Sequence, residues 1–231
     1  MLALALATLP ARAALAQEHA QEHAQERVQE RPSAFVDAAT VVPGLIVEMR
    51  YAGSHNFVGR PIDGYEAPRC LLTKPAATAL AGVAKDVAVY GLVIKAFDCY
   101  RPTRAVANFI RWARDLNDTA GKAEFYPDVD KRTLFRDGYI ASRSGHSRGS
   151  TIDLTLAHAD GRELDMGTPF DFFSTKSSLF SGGLGQAAEA NRGELAFAMR
   201  HNGFRPYERE WWHFTLRGEP FPDTYFDFPV R

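Results

Sequence analysis

Residues 144–153 read Ser144-Gly-His-Ser-Arg-Gly-Ser-Thr-Ile-Asp153, and residues 210–213 read Glu210-Trp-Trp-His213. The first stretch supplies an imidazole, His146, and a carboxylate, Asp153, with Gly149 between them. The second supplies another imidazole, His213, and a spare carboxylate, Glu210. Two histidines and one aspartate make a three-ligand zinc set that leaves a coordination position open for water. Glu210 is then the candidate proton acceptor for that water. The pattern implies one zinc ion per chain and hydrolytic chemistry.

The spacings also constrain the backbone. His146 and Asp153 are seven apart, and on a regular strand an odd separation points side chains to opposite faces. Gly149 can bend the chain, so that His146 sits on a loop and Asp153 in a strand. Glu210 and His213 are three apart, which requires a turn or bulge at Glu210 or Trp211. Trp211 and Trp212 read as core aromatics that pin the strand carrying His213. Asp98, His55, His158 and His201 read as structural or solvated groups.

Around these stretches the chain alternates between apolar runs and helical patterns. Val41 to Tyr51 predicts a strand, with Leu45, Val47 and Met49 alternating. A loop rich in glycine and proline follows to Arg69. Thr73-Lys-Pro75 predicts the start of a helix that runs to about Tyr90, with Thr73 as N-cap and proline in the first turn. Leu92 to Phe97 predicts a buried strand. Pro102 to Leu116 predicts a second helix, with Val106, Phe109, Ile110 and Ala113 on one face. Thr151 to Leu156 and Trp211 to Leu216 predict strands, and Gln186 to Asn202 a third helix ended by Gly203. Helices and strands neither alternate strictly nor segregate. The expected class is α+β, with a central, mainly antiparallel sheet flanked by helices.

Composition narrows the setting. The chain has 231 residues, 45% of them hydrophobic and 24% charged, with a formal net charge of −1. That balance gives no footing for nucleic acid or an anionic membrane surface. No uninterrupted apolar run is long enough to span a bilayer. Residues 1–16 are rich in alanine and leucine and end in Ala14-Leu15-Ala16, a small-x-small pattern that predicts a secretory signal. Residues 17–33 include the polar repeat QEHAQEHAQERVQER, predicted to be a flexible linker. The folded domain is expected over residues 34–231. The exported setting favours a disulfide between the two cysteines, Cys70 and Cys99, and a periplasmic location.

Ser-x-His-x-x-Gly-x-x-x-Asp followed by Glu-x-x-His resembles the D-alanyl-D-alanine dipeptidase family of zinc peptidases (peptidase family M15). The resemblance extends from about Tyr51 to Val230. It includes Tyr65 with its preceding Asp-Gly, Asp98-Cys-Tyr-Arg-Pro102, Met166-Gly-Thr-Pro-Phe-Asp171 and Tyr225-Phe-Asp-Phe-Pro229. One departure is Thr151, where the family usually has alanine.

The resemblance implies the zinc DD-peptidase (Hedgehog-like) fold and a role for each matched residue. His146, Asp153 and His213 would bind zinc, and Glu210 would be the general base. Arg101 would stabilise the oxyanion. Ser144 would lie near the substrate carboxylate, and Tyr51 and Asp171 would hold the substrate ammonium. The implied activity is hydrolysis of D-Ala-D-Ala to two D-alanines. Two alternatives share the ligand set: a carboxypeptidase acting on peptidoglycan stem peptides, and a non-catalytic zinc-binding module of the cell wall. Oligomeric state is not legible.

Overall fold

A strand survives in a folded chain only where its backbone groups find partners, and here five strands pair into one sheet. In the computed structural model, which describes residues 30–231, they are β2 (Ile46–Val47), β4 (Leu92–Asp98), β5 (Thr151–His158), β7 (Glu210–Leu216) and β6 (Phe204–Tyr207), in that spatial order. Only the β2–β4 pair is parallel; the remaining pairs are antiparallel. A two-stranded antiparallel sheet joins β1 (Phe35–Asp37) to β3 (Leu71–Thr73). The expected α+β class and mainly antiparallel central sheet therefore hold. The signal segment and most of the linker lie outside the described residues. No helix among the described residues is long and apolar enough to cross a membrane.

The longer helices are α1 (Lys74–Ala88), which packs on β4, α2 (Thr103–Arg114), and α4 (Gln186–His201), which packs on β5, β6 and β7; α3 (Lys122–Phe125) is a single turn. Helix α1 buries Ala76, Ala77, Leu80, Val83, Ala84 and Val87, the stripe expected of a helix lying on a core. It packs closely on α4 at Gly82, where a Cβ would come within 2.1 Å of the Asn202 Oδ1 atom. Helix α2 buries Phe109 and Trp112, which join Tyr51, Phe57 and Phe173 in an aromatic cluster. At its C-terminal end Lys131 Nζ donates to the carbonyls of Trp112, Asp115 and Asp118 at 2.6, 2.6 and 2.7 Å. A cation there complements the negative end of the helix.

Several local expectations are corrected. The strand predicted over Val41 to Tyr51 shrinks to Ile46–Val47, because Gly44 turns the chain at φ +70° and Arg50–Ala52 close into a 3-10 turn. Thr73 is the first residue before α1, but its hydroxyl bonds Ser150 Oγ at 2.7 Å and leaves the helix N–H groups alone. Strands β1, β3 and β6 were not expected. The first two are three residues long, and β6 contains Pro206, which is tolerated because β6 is an edge strand.

Cys70 and Cys99 are disulfide-bonded. The bond ties the residue before β3 to the residue after β4, and so anchors the segment that delivers Arg101.

Candidate active site

Asp98, Asp153 and His213 are successive register partners across β4, β5 and β7. Directly opposed residues in a sheet project to the same side. One row across three strands therefore gathers two carboxylates and an imidazole. Strand β7 then breaks register with β6: Pro206 faces Phe214, yet Tyr207 faces Glu210. Residues 211–213 are extra on β7 over a single step of β6, which is the irregularity that the Glu210–His213 spacing requires. It leaves Glu210 Oε2 3.4 Å from His213 Nδ1.

His146 arrives from outside the sheet. Residues Gly145–Arg148 form a 3-10 turn whose N-cap is Ser144, with Ser144 Oγ accepting from the His146 N–H at 3.3 Å. Gly149 ends the turn at φ +80°, and a Cβ there would lie 2.1 Å from the Phe35 ring. Only glycine meets both demands. The chain then enters β5, which carries Asp153. Thr151, on the same strand, pairs its hydroxyl with that of its register partner Thr215 at 2.9 Å, away from the ligand atoms.

His146 Nε2 lies 3.2 Å from Asp153 Oδ2 and 3.3 Å from His213 Nδ1, and His213 Nδ1 lies 3.0 Å from Asp153 Oδ1. The donor set fits a metal ion on three counts. His146 Nδ1 bonds the Cys99 carbonyl at 2.7 Å. A carbonyl only accepts, so that nitrogen carries the proton and Nε2 offers its lone pair. Asp153 Oδ1 is buried without an aligned hydrogen bond. Finally, tetrahedral zinc at about 2.0–2.1 Å from each ligand sets its ligand atoms about 3.3 Å apart. Burial works against the charge of Asp153, but His146 and His213 outweigh it and hold the carboxyl well below the usual range.

Around this centre lie the other residues. Burial lifts the Glu210 carboxyl to about 7, with the charge of Asp153 adding and those of His213 and Arg101 opposing. Arg101 follows β4 and grips Asp98 Oδ2 through Nε at 2.9 Å and a terminal nitrogen at 2.7 Å. The same guanidinium reaches 3.6 Å from Asp153 and 3.4 Å from Ser144 Oγ, and stacks over the Tyr51 ring at 5.1 Å. Burial opposes its charge, and Asp98 more than restores it.

At the far end Tyr51 OH donates to Asp171 Oδ2 at 2.7 Å, both residues being buried. Burial pushes the Asp171 carboxyl well above the carboxylate range; Tyr51 opposes the shift and the charge of Asp153 adds to it. Asp171 is also the single non-glycine residue with positive φ, +60°, among the described residues. Such a backbone costs about 1–3 kcal/mol and persists only where the surroundings impose it.

The structure thus brings all eight sequence-derived candidates to one neighbourhood. A cleft of about 270 Å³ is lined by Tyr51, Arg101, Ser144, Asp153, Asp171, Glu210 and His213 among others. Its walls are Val106, Phe109, Ile140, Phe173 and Trp212. His146 sits directly behind, 1% exposed. Three residues at this site escaped the sequence reading. Asp98, read there as structural or solvated, is fully buried between Arg101 and His146 Nδ1, the latter 3.4 Å away. Its place three residues before Arg101 was the available signal. Arg143 and Tyr207 line the cleft, and nothing in their local sequence marks them. His55 and His201 lie outside the cleft, paired with Glu124 and Asp86 at the surface.

A His–Asp–His donor set with a carboxylate alongside, on an α+β scaffold, defines a metal-dependent hydrolase. Residues 31–231 match peptidase family M15, the D-Ala-D-Ala dipeptidases. The chain belongs to this family of metallopeptidases. It is 43% identical over 199 residues to the D-alanyl-D-alanine dipeptidase of Enterococcus faecalis, covering 86% of this chain and 98% of that one. The Streptomyces coelicolor dipeptidase is 43% identical over 198 residues, 85% and 97% of the two chains. The Escherichia coli dipeptidase is 36% identical over 181 residues, 78% and 83%.

Proposed function

We propose that this protein is an exported zinc dipeptidase that hydrolyses free D-Ala-D-Ala to two D-alanines. The observation that carries the substrate is the Tyr51–Asp171 pair. It closes one end of the cleft with a buried carboxyl whose ionised form burial disfavours, and the ammonium of a dipeptide would supply a cation directly beside it. A longer peptide has an amide there instead.

His146, Asp153 and His213 would hold the zinc, which when bound supplies Lewis acidity to the water and to the scissile carbonyl. Glu210 takes the proton of the attacking water and returns it to the departing amine. Arg101, held by Asp98, donates to the oxygen on which negative charge develops. Ser144 Oγ already accepts from His146 N–H and Arg101, so its own hydroxyl proton is free to bond the substrate carboxylate. Tyr51 and Asp171 fix the ammonium and set the register of the scissile bond.

The disulfide supports an oxidising compartment outside the cytoplasm. In the same reading residues 1–16 are a cleaved secretory signal, 17–33 a polar tether and 34–231 the catalytic domain. The decisive assay uses zinc-loaded protein on free D-Ala-D-Ala and on a stem pentapeptide. Turnover of the dipeptide alone is expected. Preference for the pentapeptide makes the protein a carboxypeptidase, and turnover of neither makes it a zinc-binding module.

A further inference from the structure

The loop from Met166 to Ser178 carries Asp171 in its strained conformation, and something must hold it there. Arg192, on α4, is 1% exposed and meets no carboxylate among its hydrogen-bond partners. All its bonds go to this one loop. Nε donates to the Met166 carbonyl at 2.7 Å. One terminal nitrogen donates to the carbonyls of Lys176 and Ser178 at 3.0 and 2.7 Å, and the other to Thr168 Oγ1 at 3.2 Å. The cation thus grips both ends of the segment that contains Asp171.

Thr168 is where the network branches. Its hydroxyl oxygen accepts from Arg192 and also from Trp211 Nε1 at 3.0 Å. A hydroxyl has two acceptor positions and one donor, so its proton goes to the remaining partner, Ser177 Oγ at 3.1 Å. Ser177 Oγ in turn donates to the Phe172 carbonyl at 2.6 Å. Every proton in this chain has one possible direction. The chain ends on the residue that follows Asp171, and Trp211, which enters it, follows Glu210.

We propose that Thr168 and Arg192 are positioning residues: their network holds Asp171 in the geometry that selects a free ammonium and locks it in register with Glu210. This rests on the reading of Asp171 as the ammonium site. Partly satisfied buried networks lose their defining geometry, and misplacement of a positioning group on the order of 1 Å costs about a hundredfold.

The test is the ratio of kcat/KM for D-Ala-D-Ala to that for N-acetyl-D-Ala-D-Ala, with zinc content measured in parallel. Thr168→Val keeps the shape of the side chain and removes the hydroxyl. It is expected to retain zinc, to raise KM for the free dipeptide more than it lowers kcat, and to reduce the ratio about tenfold or more. Thr168→Ser restores the hydroxyl and is expected to restore the ratio. Ser177→Ala cuts the chain below Thr168, leaves the Arg192 and Trp211 bonds intact, and is expected to shift the ratio the same way. It serves if the valine variant does not fold. An unchanged ratio in a folded Thr168→Val or Ser177→Ala protein overturns the proposal while leaving the ammonium site standing. A wild-type protein without preference for the free amine overturns the ammonium reading, and this inference with it.

Discussion

Asp153 and His213 are register partners on adjacent antiparallel strands, with His213 Nδ1 3.0 Å from Asp153 Oδ1. The ladder between β5 and β7 therefore fixes two of the three proposed ligands, and only His146 depends on a turn. A site built on strands is more rigid than one built on loops. Its geometry should survive loss of one ligand even where the metal does not.

His213→Ala is accordingly expected to fold and to lose most of its bound zinc. Elemental analysis of the purified variant, with circular dichroism as the folding control, measures both. Full zinc occupancy in that variant removes His213 from the ligand set.

Glu210→Gln should keep zinc and lose turnover. Glutamine is nearly isosteric and cannot take the proton of water. A general base contributes about 100- to 10,000-fold, so kcat should fall by that range with metal content unchanged. Near-normal kcat would reduce Glu210 to a structural residue.

Arg101 has a double attachment, to Asp98 on one side and toward Asp153 and Ser144 on the other. Its removal would leave Asp98 buried without a cation, so lysine is the cleaner substitution. Arg101→Lys retains charge but not the planar fork. It should lower kcat by roughly 100-fold, the scale of one lost oxyanion donor, with a smaller change in KM. An effect confined to KM recasts Arg101 as a ground-state binding group.

Why the ligands and Glu210 were legible and Asp98 was not is a matter of local geometry. His146, Gly149 and Asp153 lie within one short stretch, and the odd spacings of the two motifs demand the turn at Gly149 and the bulge between Glu210 and His213. The row Asp98–Asp153–His213 is a property of strand pairing, which the apolar run of β4 does not show; the one local hint is the three-residue spacing from Asp98 to Arg101. Tyr51 and Asp171, 120 residues apart, came from the family resemblance alone. The long strand expected over Val41 to Tyr51 failed because alternation persists through a segment whose backbone finds only two ladder positions. The class of fold was legible because helical and strand patterns neither alternate strictly nor segregate along the chain.

The Cys70–Cys99 bond closes a loop with a sequence separation of 29. In the chain-entropy model that stabilises the fold by about 3 to 4 kcal/mol. The Cys99 carbonyl also fixes the tautomer of His146. Reduction should therefore lower the unfolding free energy by that amount and weaken zinc retention as well. Denaturant unfolding and zinc release, each with and without reductant, measure the two effects. Identical curves would mean that the bond is dispensable for both.

The last expectation concerns the closed end of the cleft. Tyr51 OH already occupies one oxygen of Asp171, so the other is left for the substrate. An ammonium satisfies it with charge and hydrogen bonds together. Acetylation of the amine removes the charge and adds bulk in a cleft that Tyr51, Phe57 and Phe173 already line. An unpaired buried polar group costs about 1–3 kcal/mol, and more when it is charged. D-Ala-D-Ala should therefore be cleaved about 100-fold or more faster, in kcat/KM, than N-acetyl-D-Ala-D-Ala, a ratio equivalent to about 2.7 kcal/mol. Asp171→Asn keeps the shape and removes the charge, and should shrink that ratio by raising KM for the free dipeptide. Equal cleavage of both substrates by the wild-type protein would open that end of the cleft to longer chains and make the carboxypeptidase the better description.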